Sequence, residues 1–224
     1  MLVICYGMHK TASTFTWTLA RDYLRAHAGK RIMAPADVVD CDAAWLAAQR
    51  RVIESRDRVL IVKTHRPAAA ELHVLARRGL VAALANYRDP RDMALSMLDA
   101  GRAERAAGND NVMSAIHGME DAIATIRREI PQFLGWAEAS FCLPLEYEDI
   151  CFDTVVTATG MAEHIAGRVP VSGDVARIVD GIDRSGIRLN RACRKRHRRE
   201  MNPAMQRRFG REFGNYMRRY RYLG

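Results

Sequence analysis

Four short apolar runs, each closing on a polar or glycine-bearing segment, constrain this chain more than any other feature. They are Leu2–Tyr6, Val59–Lys63, Val81–Tyr87 and Phe141–Tyr147. Each has the length and continuity of a parallel strand buried on both sides. Between them, residues 13–28, 42–56, 68–78, 91–100 and 115–137 carry the apolar periodicity of helices, with Pro131 expected to break the last into two pieces. Strand and helix alternating at this spacing predict an α/β fold: a central parallel sheet flanked by helices on both faces. The 224 residues fit one domain, 1–224, and no repeat or low-complexity linker divides it. Gly101–Asn111 is polar and bears glycine, so a mobile loop or lid is expected there. Beyond Gly167, helices are expected near 175–182 and 204–213.

Composition narrows the class. A hydrophobic share of 49% and a charged share of 27% are those of an ordinary globular protein. No apolar run approaches the roughly 18 residues of a membrane-spanning helix. Met1 leads straight into the first strand with no basic n-region or apolar h-region, so a cytoplasmic chain starting at or near Met1 is expected. The five cysteines form no metal-ligand spacing and read as reduced, mostly buried thiols. The net charge of +9 is uneven. Residues 184–224 hold 14 Arg/Lys against 2 acidic residues, while the rest of the chain holds 21 against 24. Such a basic, mainly helical tail suits a nucleic acid, an anionic polymer, a membrane surface or a polyphosphorylated ligand.

The chemistry-bearing residues gather at strand ends. After the first strand comes Gly7-Met8-His9-Lys10-Thr11-Ala12-Ser13-Thr14, opening a helix. A tight loop running into a helix N-terminus aims backbone N–H groups and the helix dipole at one spot, which makes an anion site. Lys10 adds a full charge, and Thr11, Ser13 and Thr14 add hydroxyls. The order differs from GxxxxGK[ST], so this is no Walker A loop. In the plainest reading Ser13 or Thr14 merely caps the helix. The next strand ends in Lys63-Thr64-His65-Arg66-Pro67. Ligands of open α/β sheets bind at the carboxyl ends of strands, which puts Lys63 and His65 beside the first loop. A histidine there suits a general base, or is simply satisfied by a backbone carbonyl. The third strand leads into Tyr87-Arg88-Asp89-Pro90-Arg91-Asp92, with Ser96 two helical turns on. Arg88 and Ser96 suit one phosphate; alternatively Arg88 and Asp92 form a surface ion pair of little worth. The last strand ends in Leu145-Glu146-Tyr147-Glu148-Asp149, where Tyr147 can stack on or hydrogen-bond to a base.

Taken together and in order, these four segments resemble the PAPS-dependent sulfotransferases, whose donor is 3′-phosphoadenosine 5′-phosphosulfate. The family loop Pro-Lys-Ser/Thr-Gly-Thr-Thr-Trp is filled by His9 to Phe15, and Lys-Thr-His-x-Pro by Lys63 to Pro67. The Arg–Ser signature is filled by Arg88 to Ser96, and Tyr-Glu-Asp by Tyr147 to Asp149. The resemblance covers about residues 3–150. It implies a P-loop-like domain and direct in-line displacement, with PAP as product and no metal required. Lys10, Thr11, Ala12, Ser13 and Thr14 then hold the 5′-phosphosulfate, with Lys10 also neutralising the departing phosphate. Lys63 polarises the sulfuryl oxygens, and His65 takes the acceptor's proton. Arg88 and Ser96 hold the 3′-phosphate, and Tyr147 contacts adenine. Ala12 stands where the family has glycine, so the loop must avoid positive φ there or carry strain. Phe15 holds the family's Trp position, with Trp17 two residues on; either can stack on adenine. The family's C-terminal Arg-Lys-Gly clamp has no clean counterpart, leaving Arg194-Lys195-Arg196, Arg198 and Arg199 as candidates. The acceptor is expected to be a small molecule or saccharide bearing a hydroxyl or amine, with no specific nucleic acid partner. The alternatives are a small P-loop kinase using ATP and Mg²⁺, or a basic nucleic-acid-binding protein.

Overall fold

The computed structural model describes residues 1–170, 172–182 and 193–223. In chain order the elements are β1 (Leu2–Gly7), α1 (Ser13–His27), β2 (Arg31–Met33), α2 (Ala43–Ile53), β3 (Arg58–Thr64), α3 (Glu71–Arg77), β4 (Val81–Tyr87) and α4 (Pro90–Ala106). They continue with α5 (Met119–Ala137), β5 (Cys142–Glu146), α6 (Tyr147–Phe152), α7 (Thr154–Ala166) and α8 (Ser172–Asp180). The C-terminal helices are α9 (His197–Glu200), α10 (Pro203–Glu212) and α11 (Gly214–Arg219).

The strands form one parallel sheet in the order β2-β3-β1-β4-β5. β1 lies in the middle, with Val3 opposite Ile61 on one side and Ala82 on the other. Its successive side chains enter opposite cores, as strand geometry demands. Leu2, Ile4 and Tyr6 pack with α4, α5 and the C-terminal helices; Val3 and Cys5 pack with α1, α7 and α8. Because both faces are covered, the strand is apolar throughout. The predicted α/β architecture is the observed one. The short β2 escaped sequence reading: three residues show no periodicity, and pairing of Arg31–Met33 with β3 makes them a strand.

Two local expectations are corrected. Pro131 does not split α5, which runs unbroken from Met119 to Ala137. It lies on the exposed face, where water can satisfy the orphaned carbonyl, while Ile126, Ile130, Phe133 and Trp136 stay buried along the other. That continuous packing outweighs a helix-interior proline's cost of about 3 kcal/mol. Nor is Gly101–Asn111 a free loop, since α4 continues to Ala106. A Cβ on Gly101 would collide with the Ile116 carbonyl oxygen and lie 2.8 Å from that of Met113, so glycine here allows close approach. Arg105 donates to the carbonyls of Ser114 (2.8 Å) and Ile116 (2.6 Å). Glu104 accepts from the side chains of Asn109 (2.6 Å) and Asn111 (2.8 Å), pinning the turn onto α4. The helices expected near 175–182 and 204–213 are α8 and α10, and residues 184–192 of the basic tail lie outside the described residues.

Candidate functional site

The loop from β1 to α1 is shaped by backbone conformation more than by side-chain caps. Lys10 and Ala12 both sit at φ 68°, in the left-handed region that disfavours a Cβ. Ala12, not Ser13 or Thr14, is the N-cap of α1, and no side chain caps the helix. The first-turn N–H groups therefore keep their capacity for an anion. Gly7 provides the close approach: a Cβ there would lie 2.5 Å from that of Ser13. Thr11 is fully buried and its hydroxyl donates to the Met8 carbonyl at 2.6 Å, so the hydroxyl is turned away from the site.

β3 delivers Lys63 and His65 next to this loop. The Lys63 ammonium donates to the Thr14 hydroxyl at 3.3 Å, and burial pushes its pKa down. The Nδ1 of His65 lies 2.6 Å from the Gly7 carbonyl oxygen. A carbonyl only accepts, so Nδ1 carries the proton and Nε2 keeps its lone pair. Burial, reinforced by His9 alongside, pushes the His65 pKa down to about 4. The ring is neutral at physiological pH.

β4 supplies Arg88, only 3% exposed. Its guanidinium donates to the Lys10 carbonyl at 3.2 Å and lies 3.6 Å from the centre of the Tyr147 ring. Its Nε is buried without a partner. The surface pair with Asp92 does not form. Asp92 is fully buried and accepts from the backbone N–H groups of His197 (2.8 Å) and Arg196 (3.2 Å) and from the His197 ring (2.9 Å). Burial alone would raise the Asp92 pKa, but those hydrogen bonds outweigh it and hold the carboxyl below its usual range. Glu148, next to Tyr147, has a buried Oε2 with no partner, and burial pushes its pKa up to about 7 against the pull of Arg88.

A cleft of about 780 Å³ opens where these elements meet. Lys10, Ala12, Ser13, Thr14, Phe15, Lys63, His65, Arg88, Ser96 and Tyr147 all line it. Thr11, Trp17, Arg198 and Arg199 do not. Trp17 is about 200° around the helix from Phe15, at 100° per residue, and it packs against Arg21, 4.9 Å away. Arg198 and Arg199 are exposed on α9, where Arg199 contacts the Cys193 sulfur at 2.7 Å. Arg196 is instead buried, bridging Asp99, which lines the cleft, and Glu200. His9 also lines the cleft, held by Glu129 of α5. Sequence reading passed over that pair, although a carboxylate on the apolar stripe of Ile126, Ile130 and Phe133 is a signal of its own.

No protein-family model matches the chain, and neither does any curated protein. Solved structures do. Mouse sulfotransferase SULT7A1 complexed with PAP superposes with a TM-score of 0.65 at 16% identity, covering 97% of this chain and 84% of that one. Retinol dehydratase in complex with retinol and PAP superposes with a TM-score of 0.62 at 13% identity, covering 96% and 81%. The parallel sheet, the strand-end loops and these superpositions establish that the chain has the fold of the PAPS-dependent sulfotransferases.

Proposed function

We propose that this protein is a cytoplasmic PAPS-dependent sulfotransferase that moves a sulfuryl group onto a hydroxyl or amine of a small-molecule or saccharide acceptor. The observation that carries the reading is convergence. Residues remote in sequence, Lys10, Lys63, His65, Arg88 and Ser96, line one cleft at the carboxyl ends of β1, β3 and β4. The residues fit a doubly anionic nucleotide. The uncapped start of α1 and Lys10 suit the 5′ end, and the orphaned Nε of buried Arg88, with Ser96 nearby, suits the 3′-phosphate. Phe15 and Tyr147 offer apolar faces to the base. The retinol in one structural neighbour supports a small hydroxyl-bearing acceptor.

Sulfuryl transfer needs in-line positioning and charge stabilisation. Lys10 within the loop and Lys63 beside it supply positive charge. His65, oriented by the Gly7 carbonyl, presents Nε2 to take the proton of the attacking group. Calorimetry with PAP, and with ATP plus Mg²⁺, tests the reading. PAP is expected to bind and ATP to bind weakly, with PAP binding lost in Lys10→Ala and Arg88→Ala. His65→Ala should keep PAP affinity and lose roughly 10²- to 10⁴-fold in turnover of PAPS. A preference for ATP with Mg²⁺ would replace this reading by a kinase.

A further inference from the structure

Glu129 directs both its oxygens at His9. Oε2 accepts from the His9 backbone N–H at 2.9 Å, and Oε1 meets Nδ1 in a short contact. The carboxylate side chain is 10% exposed and the imidazole 22%, and the imidazole lines the cleft. An ionised carboxylate only accepts, so neutral His9 carries its proton on Nδ1 and presents Nε2 as a bare acceptor. His65 holds the same tautomer against Gly7. The two rings lie face to face, centroids 4.5 Å apart and planes 17° from parallel. Ring nitrogens make hydrogen bonds along their own planes, so no proton passes directly between stacked rings and each acts on the cleft by itself.

What stands behind each ring differs. A neutral carbonyl backs His65, whereas a carboxylate backs His9 and stabilises the imidazolium formed when Nε2 takes a proton. The resemblance assigns no role to position 9, which falls on the family's proline.

Resting on the sulfotransferase reading, we propose that His9, positioned by Glu129, is a second proton acceptor for the attacking group, working beside His65. In that step the acceptor's O–H bond breaks and its proton goes to Nε2 of His9. The oxygen's freed pair forms the new bond to sulfur. The bond from sulfur to the donor's phosphate oxygen breaks, and its pair leaves with the phosphate.

Long-range ¹H–¹⁵N spectra of the histidine rings, in free and PAP-loaded protein at about pH 8, read the tautomer directly. His9 is expected to show a protonated Nδ1 and a bare Nε2. Glu129→Gln offers one acceptor to two donors, so the Nδ1–H tautomer should be depleted while PAP affinity stays within about twofold. In a His65→Ala background, where His9 alone can take the proton, Glu129→Gln should slow the residual release of PAP from PAPS with water as the acceptor roughly 100-fold in kcat, with KM for PAPS unchanged. In the same background His9→Phe keeps a ring in place and removes the nitrogen; it should be equally slow, and it should melt lower because the Glu129 carboxylate loses a donor. An Nε2–H tautomer at His9, or residual turnover in His65→Ala that adding His9→Phe leaves unchanged, overturns the proposal. Wild-type protein that fails to bind PAP instead overturns the sulfotransferase reading, and the tautomer measured in free protein keeps the two failures apart.

Discussion

Arg88 and Glu148 show how much a single buried charge depends on its neighbours. The guanidinium is shielded by Tyr147, while Glu148 holds an unpartnered oxygen out of water. With its pKa raised from 4.5 to about 7, Glu148 binds more protons in the folded than in the unfolded state between those values. Its stabilising contribution is therefore complete below pH 4.5 and lost as pH rises through about 7. Glu148→Gln is expected to melt above the wild type at pH 8 and to lose that advantage below pH 4.5. The same carboxylate, once charged, competes with an anion for the field of Arg88. PAP affinity should thus weaken through pH 7 in the wild type and stay flat in the variant, as calorimetry at several pH values would show.

Among the elements, the junction of β1 and α1 is under backbone strain at two positions. Lys10 and Ala12 hold left-handed backbone angles that a glycine would adopt freely. The surroundings over-determine the turn: Gly7 lets the strand meet Ser13, Thr11 closes on Met8, and Lys63 reaches Thr14. Strain of this kind collects where a loop must present its backbone to a ligand. Ala12→Gly should relieve about 1 kcal/mol, raising Tm by roughly 2–4 °C. A lowered Tm would mean that the Ala12 methyl, packed against the core of α1 and α7, contributes more than its backbone costs.

Across the whole molecule, the C-terminal segment is held to the sheet by apolar packing of Phe209, Phe213, Tyr216 and Met217, with ion pairs around it. Of its described arginines, Arg194 pairs with Asp153, Arg196 with Asp99, Arg208 with Glu120 and Arg219 with Glu138. Four of these charges thus meet acidic side chains of the remaining chain. Most of these pairs are exposed and worth little. The buried Asp92 is different, because three donors from Arg196 and His197 converge on it. Asp92→Asn turns an NH₂ toward those donors and should cost about 2–3 kcal/mol, with faster hydrogen exchange at the Arg196 and His197 amides. The carboxylate is held below its ordinary value, so its contribution persists above the usual carboxylate range and disappears as pH falls beneath it.

The sequence by itself determined four of the five strands, because a strand buried on both faces has to be apolar along its whole length. It also placed Lys10, Lys63, His65, Arg88, Ser96 and Tyr147 at strand ends, where a parallel sheet brings its loops together. Tertiary structure alone decided the rest. Which of Phe15 and Trp17 faces the cleft follows from the rotation of α1 against the sheet. The positive φ of Ala12 is imposed by the strand-to-helix junction around it. Pro131 stays helical because packing on the opposite face of α5 exceeds a local cost. The Glu129–His9 pair joins positions 120 residues apart: the apolar stripe marks Glu129 as a carboxylate that needs a partner, but the partner is fixed only once α5 lies across β1.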